Sequence, residues 1–200
     1  MTSYAAIFDV TPPEKFDRVQ LLVRFLISIV LGIVGISMGW VFLLAYFALP
    51  LTAAIAVNAI GAEGFQSRTG PVIEALVRWL LSLQAYMCFL GDRFPSSEET
   101  MVRYQVYPTG KPTMASALWR LLTSLPEIIV LIVLSIPASI VWVLSFLFVL
   151  FTAAVPGGLL AFQRGLLRWQ ARLFAYHASL VETAPPYALD VGPESPPARA

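Results

Sequence analysis

The segment RWLLSLQAYMCFLGDRFP, residues 78–95, is answered ninety positions later by RWQARLFAYHASLVETAP, residues 168–185. Arg78-Trp79 falls on Arg168-Trp169, Ala85-Tyr86 on Ala175-Tyr176, Leu90 on Leu180, Asp92 on Glu182 and Pro95 on Pro185. Upstream of each segment an offset of 96 lays Val10 on Val106, Pro12 on Pro108, Arg24 on Arg120 and Ser28 on Ser124. Similarity at a fixed spacing is the signature of a duplicated unit. The sequence therefore predicts two tandem repeats, residues 1–95 and 101–186.

Each repeat holds a stretch almost free of charge. From Phe25 to Ala62 there is no charged residue in 38 positions, and from Leu121 to Gln163 only Glu127 in 43. One bilayer crossing takes about 20 apolar residues, so each stretch reads as a tight helical hairpin. The turns fall at Gly35–Gly39 (GISMG) and Ser135–Ser139 (SIPAS), where small residues and Pro137 interrupt a helix. The hairpins then occupy 22–60 (spans 22–38 and 40–60) and 118–155 (spans 118–135 and 138–155). The expected fold is an all-α membrane protein with four transmembrane helices in two tandem hairpins. All polar segments fall on one face, which the thirteen basic residues mark as cytoplasmic. That makes the chain a multi-pass protein of the inner (plasma) membrane with both termini cytoplasmic. Re-entrant hairpins that never emerge are the competing reading. Gly32, Gly35 and Gly39 form a small-residue ridge suited to close helix contact.

After each hairpin an amphipathic interfacial helix is expected, over 71–90 and 158–182. The first carries a stripe of Glu74, Arg78 and Ser82; the second a row of Arg164, Arg168 and Arg172. Trp79 and Trp169 flank the stripes, as interfacial aromatics do. Arg78, Trp79, Arg164, Arg168, Trp169 and Arg172 are thus the candidates for binding anionic lipids or a protein partner. Three short β-prone segments, Tyr4–Val10, Met101–Tyr107 and Tyr187–Val191, predict a small cytoplasmic sheet. Residues 192–200 read as a disordered tail.

Composition narrows the chemistry. Hydrophobic residues make up 58% of the chain and charged ones 12%, with a net charge of +1; a nucleic-acid partner would call for a concentrated basic surface. Cys88 and His177 are each alone, which rules out Cys-based metal sites and paired-histidine constellations. No catalytic, cofactor or metal site is expected, and the chain is not read as an enzyme. Polar groups at membrane depth are Glu127, Arg120, Arg24 and Asn58. Snorkelling, or pairing of Glu127 with Arg120 or Arg24, accounts for that carboxylate, and Asn58 is placed to bond between spans. His177 aligns with Met87 and reads as a polar-edge residue. Asp92 and Glu182 are a carboxylate pair only if the repeats bring them face to face.

LVRFLIS at 22–28, LWRLLTSLPEIIVL at 118–131 and GLLRWQARLFAYHASLVETAPPYAL at 165–189 carry a further signal. Strand, arginine-led apolar stretch and RW-x(6)-Y helix ending in an acid and prolines resemble the DUF4389 family across both repeats. The resemblance implies a bacterial membrane protein and assigns no function. Family members often show a GRYPRG-like run before the amphipathic helix. Here Gln66-Ser67-Arg68-Thr69-Gly70-Pro71 and Pro156-Gly157-Gly158 stand instead, and Pro126-Glu127 replaces a proline and histidine. The expected function is a scaffold or accessory subunit that binds lipid or protein partners at the cytoplasmic face. The alternative is a small oligomeric transporter or channel.

Overall fold

The computed structural model describes residues 4–33, 38–95, 101–190, 192 and 194. The chain is mostly helical, in the order β1 (Ala6–Val10), α1 (Val19–Ile33), α2 (Met38–Gly64), α3 (Gly70–Met87), β2 (Val102–Val106), α4 (Met114–Thr123), α5 (Leu125–Thr152) and α6 (Gly157–His177). A single π-turn over Phe65–Thr69 joins α2 to α3.

Local chemistry sets the boundaries. The backbone of α2 breaks at Gly61, whose φ of 74° is open to glycine, and Pro71 sits in the first turn of α3, where its missing N–H costs nothing. Thr113 caps α4: its hydroxyl accepts from the Ser116 amide, and the Ser116 hydroxyl accepts from the Thr113 amide. The α4–α5 break at Ser124 precedes Pro126, which again occupies a first helical turn. Glu127 follows in that turn, where the helix dipole favours a carboxylate.

β1 and β2 pair antiparallel, Ala6 opposite Val106 and Val10 opposite Val102. β1 packs on α6 and β2 on α3, while α3 and α6 pack on each other. The main core joins Phe8, Val10, Val102 and Tyr104 of the sheet to Ile73, Val77 and Leu81 of α3 and Leu167 and Phe174 of α6. α2 lies against α4 and α6, and α5 against α6.

The remaining surface is apolar to a degree no water-facing domain needs. Phe25, Leu26 and Val30 of α1, Leu44, Phe47 and Ile55 of α2, and Ile129, Ile132, Ile136, Ile140 and Phe151 of α5 are all exposed. Among the described residues two stretches are long and apolar enough to cross a bilayer, Trp40–Met87 and Leu125–Thr152. Only 6% of the most apolar window of the second is buried, against 33% for the first, so α5 is not the hidden core helix of a soluble protein.

Several expectations need correction. Ser135–Ser139 is not a turn: α5 runs unbroken through Pro137. The Ser135 hydroxyl donates to the Ile132 carbonyl and the Ser139 hydroxyl to the Ser135 carbonyl, both within the same helix. The spans 118–135 and 138–155 are therefore not a hairpin. In the first half α1 and α2 are separate helices, and the expected turn falls largely on 34–37, outside the described residues. Among the described residues α1 packs on α5. A Cβ on Gly32 would meet nothing within 4 Å, so it marks no tight contact, and its partner Gly35 lies outside the described residues. Among the described residues the sheet has two strands; residues 187–190 are not a strand, and Val191 lies outside the described residues. The outer edge of β1 is taken, since the Phe8 amide donates to Glu194 and its carbonyl accepts from Arg168. The predicted tail lies mostly outside the described residues, but Gly192 and Glu194 are held in place. Finally, α6 is no interfacial helix with a free stripe, because it is buried almost throughout from Gln163 to His177.

Candidate functional site

The C-terminal end of α3 is built around Arg24. The helix closes with Phe89 in the left-handed region (φ 59°), where the Leu90 amide donates to the Ala85 carbonyl and the Phe89 amide to Tyr86. Arg24, 1% exposed, reaches this end from α1. Its Nε donates to the Tyr86 carbonyl (2.9 Å) and its Nη2 to the Gly91 carbonyl (2.7 Å). Asp92 lies 3.4 Å away, and the guanidinium carbon sits 4.3 Å and 4.7 Å from the Tyr86 and Phe89 ring centres. A cation at a helix C-terminus meets both free carbonyls and the negative end of the helix dipole.

Arg120 meets α6 in the same manner. Ser179 is left-handed (φ 58°), the Leu180 amide donates to Ala175, and the Ser179 amide donates to Tyr176. Arg120 Nη1 donates to the Tyr176 and Val181 carbonyls, with the guanidinium 4.5 Å from the Tyr176 ring centre. Burial pulls the Arg120 pKa below its ordinary value, opposed by the tyrosines 176 and 4 and by Glu182. One turn after each arginine a serine hydroxyl donates back to it: Ser28 to the Arg24 carbonyl and Ser124 to the Arg120 carbonyl. Neither arginine pairs with Glu127, contrary to expectation.

Beneath the Arg120 clasp lies a buried polar node that sequence reasoning missed. His177 Nε2 lies 2.6 Å from Ser124 Oγ, and Nδ1 lies 3.3 Å from the Tyr46 carbonyl. The Tyr46 hydroxyl donates to the Leu121 carbonyl at 2.6 Å. His177 is fully buried, not a polar-edge residue. Its alignment with Met87 was a poor guide because Tyr46 and Ser124 come from other helices. Burial lowers its pKa to about 4; the Tyr46 carbonyl opposes that shift and the Arg120 charge adds to it. A neutral imidazole beside a serine resembles half of a nucleophilic pair, but Ser124 is itself fully buried and donates to Arg120. The node ties α2, α4 and α6 together.

The arginine row of α6 is likewise consumed internally. Arg168, 1% exposed, donates from Nε to the Phe8 carbonyl (3.1 Å) and from Nη1 to the Asp190 (2.8 Å) and Gly192 (2.6 Å) carbonyls. Asp9, Asp190 and Glu194 stand within 3.8 Å of it. Burial lowers the Arg168 pKa, with Glu194 and Asp190 opposing. Arg172 pairs with Glu194 and with Asp190 (3.4 Å). Trp169 is buried, with Tyr187 edge-on at 5.6 Å. Arg168, Trp169 and Arg172 therefore do not form a surface, and Arg164 is only partly exposed. The acids that neutralise them lie beyond the helix and in β1, where stripe analysis of α6 could not find them.

Other candidates scatter. Glu127 is 3% exposed with Oε2 lacking a hydrogen-bond partner. Asn58 is exposed on α2 and bridges no span. Asp92 serves Arg24 and accepts from the Asp17 amide, while Glu182 sits by Thr109 and Gly110; they form no carboxylate pair. On α3, Arg78 remains available. With Glu74, Arg103 and Gln105 it lines a cleft of about 310 Å³ beside β2. Val72, Leu76 and Trp79 project outward from the same helix. Among the described residues no group of three metal-ligating side chains occurs.

With this geometry in view, residues 115–188 match the family described as Domain of unknown function (DUF4389). The match lies over α4, α5 and α6 and supports the resemblance for that part of the chain only. No curated protein matches the chain, and no solved structure does.

Proposed function

We propose that the protein is a multi-pass integral protein of the plasma membrane, with both termini cytoplasmic, that holds a lipid or protein partner as a scaffold or accessory subunit. It performs no chemistry of its own on this reading. The observation that carries it is the joining of one apolar girdle to one polar body. α1, α2 and α5 expose bare hydrocarbon, while β1, β2 and the 182–194 segment are tied together by strand pairing and by Arg168 and Arg172. The ends of each half are held together in the polar body, so in the second half α6 brings the chain back along α5. A duplicated unit is supported by Arg24 and Arg120, which sit at offset 96 and clasp helix ends at offset 90. The partner-facing element is the Arg78–Arg103 cleft, next to outward Trp79.

The test is composition after gentle extraction with surrounding lipid. A stoichiometric protein or retained anionic lipid, lost on Arg78→Glu with Arg103→Glu, is the expected result. A lone chain with no retained molecule, unaffected by that charge reversal, contradicts the proposal.

A further inference from the structure

α2 and α5 both rest on α6 yet scarcely pack on one another, leaving a cleft between them floored by α6 and α3. Its inner part is a cavity of about 430 Å³, within the usual range for small-molecule sites. The polar lining is amide and hydroxyl: Gln84 of α3, Gln163 and Gln170 of α6, and Ser135 and Ser139 of α5. Among the described residues no Asp, Glu, Lys, Arg or His lines it. An outer part of about 260 Å³ shares Phe42, Leu131, Ser135 and Gln170 with the inner one and is otherwise almost wholly apolar. Its rim carries Leu43 and Ile132, 42% and 62% exposed, so the cleft opens on the hydrocarbon face of the molecule.

Three glutamines meeting halfway along the most apolar helix of the chain are costly unless something bonds to them. The protein satisfies them only in part. Gln163 donates to the Ala138 carbonyl at 3.3 Å, but the Gln84 side-chain carbonyl is buried without a partner. The Ser135 and Ser139 hydroxyl protons are already given to carbonyls of their own helix, so those oxygens face a ligand as acceptors. We propose that the cleft binds an uncharged amphiphile of the diacylglycerol kind. Its hydroxyl and ester head sits among Gln84, Gln163, Ser135 and Ser139, and its chains leave past Leu43 and Ile132. An ionised head would find no counter-charge there and would lose its hydration uncompensated. A plain acyl chain would leave the amides unbonded.

The site rests on the membrane placement proposed above, and one experiment separates the two. Trp142 lines the inner cavity, its Nε1 donating to the Met87 carbonyl at 2.8 Å. Its fluorescence is isolated as the difference between the wild type and Trp142→Phe. The full chain is reconstituted in phosphatidylcholine vesicles doped with brominated diacylglycerol, brominated phosphatidylcholine or brominated phosphatidylglycerol at equal mole fraction. We expect diacylglycerol to quench Trp142 at about tenfold lower mole fraction than either phospholipid, as two neutral hydrogen bonds allow. Gln84→Leu with Gln163→Leu should remove that preference. Equal quenching by all three lipids on the wild type overturns the site, as does a preference that survives both leucines. Vesicle flotation run alongside reports placement: a protein that floats without preference refutes the site alone, and one that does not float refutes the membrane reading itself.

Discussion

Replacing Arg24 with methionine tests whether helix-end clasping holds the fold. The change removes two charge-assisted hydrogen bonds, to the Tyr86 and Gly91 carbonyls, each worth about 1.5–3 kcal/mol. It also removes stacking on Tyr86 and Phe89, about 1 kcal/mol. Against this, Arg24 Nη1 is buried without a partner, and losing that burden returns about 1–3 kcal/mol. Methionine keeps much of the packing volume, so the net loss should be about 3 kcal/mol. Arg24→Lys should recover little of it: one ammonium cannot reproduce donors from two nitrogens of a planar fork, nor lie flat on two rings. The assay is reversible unfolding in mixed micelles with increasing SDS, followed by far-ultraviolet circular dichroism. A methionine variant within about 0.5 kcal/mol of wild type, well below the loss of even one such bond, would refute the reasoning. So would a lysine variant indistinguishable from wild type.

Three further outcomes are expected from the same assay. His177 is held near pKa 4 against an ordinary 6.5, so its neutral form adds stability in full above pH 6.5, and that contribution drains away as pH falls toward 4. The loss is about 3 kcal/mol; His177→Gln should flatten that part of the profile, and an unchanged profile contradicts the buried assignment. Ser179→Gly should stabilise by about 1 kcal/mol, since it relieves a left-handed non-glycine residue and deletes a buried hydroxyl without a partner; destabilisation would count against the helix-end geometry. Pro137→Ala should stabilise by about 1–3 kcal/mol because α5 is continuous there. A turn at that position would give the opposite sign.

The sequence was most legible where the information is local or repeated. The paired strands 6–10 and 102–106, the apolar stretches and the prominence of Arg24 and Arg120 follow from patterns visible along the chain, as do α3 and α6, although their expected ends at 90 and 182 overrun the observed 87 and 177. Pro137 misled because the rule that proline ends helices comes from chains surrounded by water. In an apolar setting an open backbone costs more than a strained helix, so α5 continues through Pro137. The arginine row misled for another reason. Asp190 and Glu194 come from beyond α6 and Asp9 from the first strand, so the stripe looked free when read on its own helix. His177 was discounted on its alignment with Met87, although its bonds run to Ser124 and Tyr46 of other elements. Side chains whose partners are remote in sequence cannot be assigned from periodicity.

The central claim is a polar body on one side of a bilayer and an apolar girdle within it, and cysteine labelling tests it most directly. In a Cys88→Ala background, single cysteines at Lys15, Lys111 and Glu182 report the polar body, and at Phe47 and Ile132 the girdle. A membrane-impermeant maleimide is applied to right-side-out and inverted vesicles. The account predicts labelling of the first three only in inverted vesicles, and of the last two in neither until detergent is added. Labelling of the polar sites from opposite faces, or of Phe47→Cys and Ile132→Cys in intact vesicles, would contradict it.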